Sequence, residues 1–160
     1  MGIRDRLTDD LLLLVKLFEN SENSTQSQEL ISRISVQIFC CWIEDEFDQI
    51  LNNHFQDCNF FKEKVKKLNG FDPSKVKEVF YCGWGIEKIN KIFDEIKINH
   101  SDFFEKDGQL DIFYKKRNKI SHTNTKENII CDSPRVLLSQ YLQNFKGVFD
   151  LLEGLIEVKK

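Results

Sequence analysis

Leu30-Ile31-Ser32-Arg33-Ile34-Ser35-Val36-Gln37-Ile38-Phe39-Cys40-Cys41-Trp42-Ile43-Glu44-Asp45-Glu46-Phe47-Asp48-Gln49-Ile50-Leu51 is the stretch whose reading decides the fold. Leu30, Ile34, Ile38, Cys41, Trp42 and Phe47 recur at helical spacing and form one stripe. Ile31, Phe39, Ile43, Ile50 and Leu51 broaden it. The spacing predicts a helix from about Ser27 to Phe55. Its apolar arc is too wide for a helix lying on a surface, so it belongs at the centre of a bundle.

The flanking segments agree. On the N-terminal side, Leu7, Leu11, Leu14, Val15 and Phe18 give an amphipathic helix over Asp5 to Phe18. The polar run Asn20 to Thr25 connects the two and can cap the second. Further on, Phe60 to Leu68 is a short helix candidate stopped by Asn69-Gly70. Asp72-Pro73 then reads as an N-cap with proline in the first turn, opening Ser74 to Tyr81. Gly83-Trp84-Gly85 interrupts before Ile86 to Ile98. Gln109 to Ser121 is the next helix. Ser133-Pro134 opens a final one to about Val158, with Leu138, Tyr141, Leu142, Phe145, Phe149, Leu152 and Ile156 as its expected buried face. No segment alternates with a period of two, as a sheet requires. The expected fold is all-α: a single helical domain spanning residues 1–160.

At 160 residues the chain can bury roughly 70% of the surface it exposes when unfolded. Fourteen Phe against one Met point to a core built on aromatic rings. No apolar run approaches the ~20 residues that span a bilayer, and Met1 to Arg6 lacks a signal-peptide core, so a cytoplasmic protein without membrane contact is expected. The five cysteines, Cys40, Cys41, Cys58, Cys82 and Cys131, are an odd number without paired spacing and read as buried free thiols. There is no Cys-x-x-Cys, His-x-x-x-His or carboxylate-rich loop, so neither a metal nor a cofactor is expected. A net charge of −3 argues against a protein that coats nucleic acid, while leaving room for a local basic patch. Lys115, Lys116, Arg117 and Lys119 make one such patch; Lys62, Lys64, Lys66 and Lys67 make another.

Arg117-Asn118-Lys119-Ile120-Ser121-His122 carries the most chemistry. A guanidinium offers a planar fork of donors that matches phosphate oxygens, and an imidazole can take or give a proton near neutral pH. On a straight helix Arg117 and His122 lie about 140° apart and ~7.5 Å along the axis, so they cannot share one substrate atom. Asn118 and His122, four apart, do share a face. Arg117 and His122 converge if the helix ends or bends near Ser121, or if a second copy faces the first across a two-fold axis. The spacing by itself carries little weight in a chain with five arginines and three histidines, and basic residues favour helix C-termini on dipole grounds alone.

The same six residues resemble the R-N-x-x-x-H signature of the HEPN superfamily, in which R-x(4–6)-H marks RNA-cleaving members. More loosely, the long helix with Arg33 followed by Ile43-Glu44 resembles the arginine-and-acid helix of the RiboL-PSP branch. Trp84-Gly85-Ile86 leading into Ile89 to Phe93 is similar to that branch's middle region. The resemblance implies a small helical bundle that dimerises and cleaves RNA without a metal, at a cleft between two copies of the motif. It implies His122 as general acid or base, Arg117 as the group stabilising the five-coordinate phosphate, and Asn118 as the residue orienting His122 or the phosphate. Glu44 becomes a candidate for fixing Arg117 or His122, and Lys115, Lys116 and Lys119 candidates for holding the RNA backbone. An antitoxin or defence-system protein is the implied partner. Members silenced by nucleotidyl transfer carry Tyr two residues after the His. Here that place is Asn124, and Tyr114 lies on the wrong side of the motif, so this control is not expected. The competing reading is a non-catalytic module of the same fold that binds RNA or protein.

Overall fold

The computed structural model describes residues 2–21, 24–55, 70–122 and 130–157, and among these every regular element is helical. In chain order they are α1 (Ile3–Asn20), α2 (Thr25–Phe55), α3 (Pro73–Trp84), α4 (Ile86–Asn99), α5 (Gln109–His122) and α6 (Pro134–Gln140). A π-helical turn, Tyr141–Phe145, joins α6 directly to α7 (Lys146–Glu157). The expected helix at Phe60 to Leu68, its cysteine neighbour Cys58 and the Lys62–Lys67 cluster lie outside the described residues.

α2 is the axis of the molecule, touching α1, α5, α6 and α7. Its buried residues include Val36, Phe39, Cys40, Trp42, Ile43, Phe47, Ile50 and Leu51. The stripe expected at the centre of this helix is therefore rotated. Leu30 is 59% exposed, Ile34 37%, and Cys41 lies open, whereas Trp42 and Phe47 of the stripe are buried together with Phe39, Ile43, Ile50 and Leu51, the residues expected to broaden it. The rotation follows from Ser32 and Ser35, which are buried. Ser35 satisfies its hydroxyl locally by donating to the Ile31 carbonyl at 2.7 Å, so its small side chain can face a neighbour without an orphaned polar group.

Aromatic rings fill the centre as the composition implies. Phe39 meets Phe113 and Phe145 at 4.9 Å between ring centroids; Trp42 meets Tyr141 at 5.0 Å and Phe149 at 5.2 Å. The steep angles of most of these pairs bring ring edges onto ring faces, worth ~0.5–1.5 kcal/mol each beyond the area buried. Phe103 extends the cluster by packing on Phe145.

The π turn accounts for a second departure. Leu142 is 57% exposed and Leu137 is buried in place of the expected Leu138, while Tyr141, the first residue of the turn, is buried as expected. A π turn holds one extra residue, so the stripe steps back by one on its N-terminal side. Downstream, Phe145, Phe149 and Leu152 are buried as expected, joined by Val148.

α5 is seated by what surrounds it. Leu110 and Phe113 are buried, and the Cys40 thiol lies 3.7 Å from the Phe113 carbonyl. At its start, a Cβ on Gly108 would fall 1.6 Å from the Asp102 carbonyl oxygen, so this junction admits only glycine. The expected helix boundaries hold within a few residues elsewhere. Asp72 caps α3 by accepting from the Ser74 and Lys75 amides at 3.0 and 3.4 Å, and α3 runs through Gly83 and Trp84 before breaking at Gly85.

Two thiols correct the cysteine reading. Cys40 is buried and Cys131 half-buried, but Cys41 and Cys82 are exposed. No described helix is long and apolar enough to cross a membrane.

Candidate active site

The C-terminal half of α5 carries Arg117, Asn118, Lys119 and His122 past the middle of α2. Arg117 turns back onto α2, where its Nε lies 2.7 Å from Glu44 Oε1. Both side chains are partly open, 34% for Arg117 and 26% for Glu44, so the pair sits at a rim. Burial lifts the Glu44 carboxyl above its ordinary value, with Asp48 and Asp45 adding to the rise and Arg117 opposing it. Burial and the neighbouring carboxylates thus disfavour charge on Glu44, and the guanidinium favours it.

Gly70 closes this site from a third direction. Its φ is +86°, and a Cβ built there would lie 2.9 Å from Glu44 Oε1 and 3.2 Å from both Cζ and Nη1 of Arg117. Next to Gly70, Phe71 is buried and its ring packs 6.0 Å from that of Tyr114, one turn of α5 before Arg117.

His122 is the last residue of α5 and is exposed; Asn118 is half-buried. The helix remains regular through both Arg117 and His122, so the two diverge within one chain as ideal helical geometry dictates. The expected backbone-binding lysines take different positions. Lys115 reaches back to Asp107 at 2.5 Å and Asp111 at 2.8 Å, tying down the N-terminal end of α5. Lys116 pairs with Asp132 and lies over the Phe113 ring, 5.3 Å from its centroid. Lys119 is exposed. Of the candidate residues, the structure brings Arg117 and Glu44 into contact. Lys115 and Lys116 are compensated by carboxylates, and His122 stands apart at the helix end.

Sequence reasoning passed over Gly70 as part of this site, although Asn69-Gly70 signalled a turn. Asp132 as the partner of Lys116 left no signal at a separation of 16 residues. Asn124 lies outside the described residues. Among the described residues no group of three His, Cys, Asp or Glu gathers as a metal centre would require.

The other histidines have structural surroundings. His54 stacks on Trp84 at 4.3 Å, and His100 leans against α7 where Gly147 leaves room for its ring. Trp42 is a core residue, 3% exposed.

Comparisons with protein-family models, with curated proteins and with solved structures find no match to this chain.

Proposed function

We propose that this chain is a metal-independent endoribonuclease of the HEPN kind, serving in toxin–antitoxin or phage-defence biology. The observation that carries the reading is the half-open guanidinium of Arg117, braced on Glu44, one and a half helical turns before an exposed imidazole at a helix end. Here the braced Arg sits at the rim, where a phosphate can reach it.

The reaction is transesterification. The imidazole of His122 takes the proton of a ribose 2′-hydroxyl, whose oxygen attacks the adjacent phosphorus. The P–O5′ bond breaks and the leaving 5′-oxygen receives the proton from the His122 imidazolium, giving a 2′,3′-cyclic phosphate and a 5′-hydroxyl. Arg117 offsets the charge that gathers on the phosphoryl oxygens, and Asn118, which shares a face with His122, orients the ring or the phosphate. Because Arg117 and His122 diverge on one helix, a complete site takes one set from each of two copies across a two-fold groove. Lys119 lies within the motif, exposed, and suits contact with the RNA backbone. Lys115 and Lys116 are held by Asp107, Asp111 and Asp132.

The test is His122→Ala. Positioned proton transfer contributes ~10²–10⁴-fold, so the variant should cut RNA at least about a hundredfold more slowly with its helical content and melting temperature unchanged. Cleavage at the native rate by a folded His122→Ala protein overturns the reading. Products bearing 2′,3′-cyclic phosphate, formed undiminished in EDTA, are also expected.

The compensation of Lys115 and Lys116 by Asp107, Asp111 and Asp132 favours a second reading, a non-catalytic module whose partner is a protein or RNA. That reading requires binding without cut products from the native chain.

A further inference from the structure

We propose that Gly70 and Glu44 form a cradle that positions the Arg117 guanidinium, and that position 70 is glycine for this reason as well as for its backbone conformation. The inference rests on the nuclease reading for its consequence, though not for its geometry.

Two constraints act at Gly70, and they can be separated. The first is backbone: φ of +86° lies in the left-handed region, which glycine enters without cost and asparagine tolerates. The backbone conformation alone would therefore admit Asn at some strain. The second is space. A Cβ here would come 2.9 Å from Glu44 Oε1, closer than real Cβ contacts, and 3.2 Å from Arg117 Cζ and Nη1. Any side chain, Asn included, makes the carboxylate and the guanidinium, both ends of flexible side chains, give way.

The consequence is orientation. Arginine is long and rotamer-rich, so its head group has many positions open to it. Glu44 holds Nε at 2.7 Å, and the bare backbone of Gly70 forms a wall against Cζ and Nη1. Together they limit both the direction of the side chain and the plane of its fork. Misplacement of a catalytic group by about 1 Å can cost on the order of a hundredfold in rate. Neither Gly70 nor Glu44 need touch substrate; both are positioning residues.

The experiment follows the Arg117 Nε–H resonance and single-turnover RNA cleavage in parallel. Gly70→Asn keeps the tolerated backbone and adds the Cβ. It should shift or broaden the Arg117 signal and lower the maximal rate by about ten- to a hundredfold, with the substrate concentration for half-saturation little changed. Shortening the carboxylate in the same chain, as Gly70→Asn with Glu44→Asp, should return about tenfold of that loss, a departure from additivity that a structural defect at either site does not produce. An unmoved Arg117 signal in Gly70→Asn overturns the proposal, as do penalties that combine independently. If the position-70 variants fail to fold, Glu44→Gln in the otherwise native chain decides: it keeps the size of the side chain and removes the ion pair, so an unchanged Arg117 signal again overturns the cradle. Absence of cleavage by the native protein would sink the nuclease reading instead, leaving the resonance to judge the cradle alone.

Discussion

Glu44 and Glu46 stand two residues apart on α2, and each meets an arginine, yet the two pairs have opposite characters. Glu46 is 2% exposed, and Arg4 from α1 reaches it with Nε at 3.3 Å and Nη2 at 3.1 Å. The same guanidinium also holds Asp150 and Glu153 of α7. Burial disfavours charge on Arg4, but Glu46 and the two further carboxylates hold its affinity for a proton well above the ordinary value. That arginine is saturated and knots three helices together. Among the described residues Arg117 meets the carboxylate of Glu44, through Nε, at a partly open rim. Two positions on a helix differ by about 200°, which is enough to turn one acid inward and the other to the edge. One residue pair, used twice, gives a fastener in the first case and a half-exposed cation in the second.

The most forceful way to test the contrast is to remove Arg4. Arg4→Ala leaves Glu46 buried without its partner, which typically costs ~3–5 kcal/mol. For a chain of this size each kcal/mol lowers the melting temperature by roughly 2–4 °C, so thermal unfolding should move down by about 10 °C. Arg117→Ala should cost less than about 1 kcal/mol in the same measurement, because its pair is partly solvated. Comparable losses for both would erase the distinction.

Activity should show the reverse order. Arg117→Lys retains charge but replaces a planar fork with a point charge, and should slow RNA cleavage by about ten- to a hundredfold while the melting temperature stays within a degree or two. Cleavage at the native rate in this variant would place the guanidinium outside the chemistry.

The smallest effect separates the regions by sign. Burial alone would raise Asp150, yet hydrogen bonds from Lys146 and Arg4 hold it below its ordinary 3.8. Its stabilising contribution is present above that value and is lost as pH falls through the depressed one. Glu44 is raised above its ordinary 4.5, so its ionised form opposes folding at neutral pH and the penalty fades as pH falls through the raised value. Glu44→Gln should therefore be neutral or stabilising by under about 1 kcal/mol at pH 7, with the gain shrinking on acidification. Asp150→Asn should destabilise at pH 7 and lose its penalty in acid below 3.8. Urea titrations at several pH values read both.

Much of the helical order was legible in the chain. Asp72-Pro73 and Ser133-Pro134 announced helix starts through chemistry local to a few residues, and the caps form as written, Ser133 Oγ accepting from the Val136 amide at 3.5 Å. The facing of α2 was not legible. Periodicity finds an apolar arc but not which part of it a neighbour will cover, and two serines, polar by composition, sit on the buried side. Within the candidate site, Arg117 and His122 stood out because they are close in sequence and rich in chemistry. The Arg4 knot left no trace, since its partners lie 42 and 146 residues away. Gly70 signalled a stop, but its approach to Glu44 and Arg117 exists only after α2, α3 and α5 have packed.

The π turn at Tyr141–Phe145 makes the last rod of the molecule behave like a screw with one thread too many. Taking out any single residue from that turn would let the backbone close into an ordinary spiral, and the two ends would then swivel by about 100° relative to each other. Either Leu137 and Tyr141 would leave α1 and α2, or Phe149 and Leu152 would leave the aromatic centre. The surplus residue is thus what lets one continuous rod serve two differently angled seats.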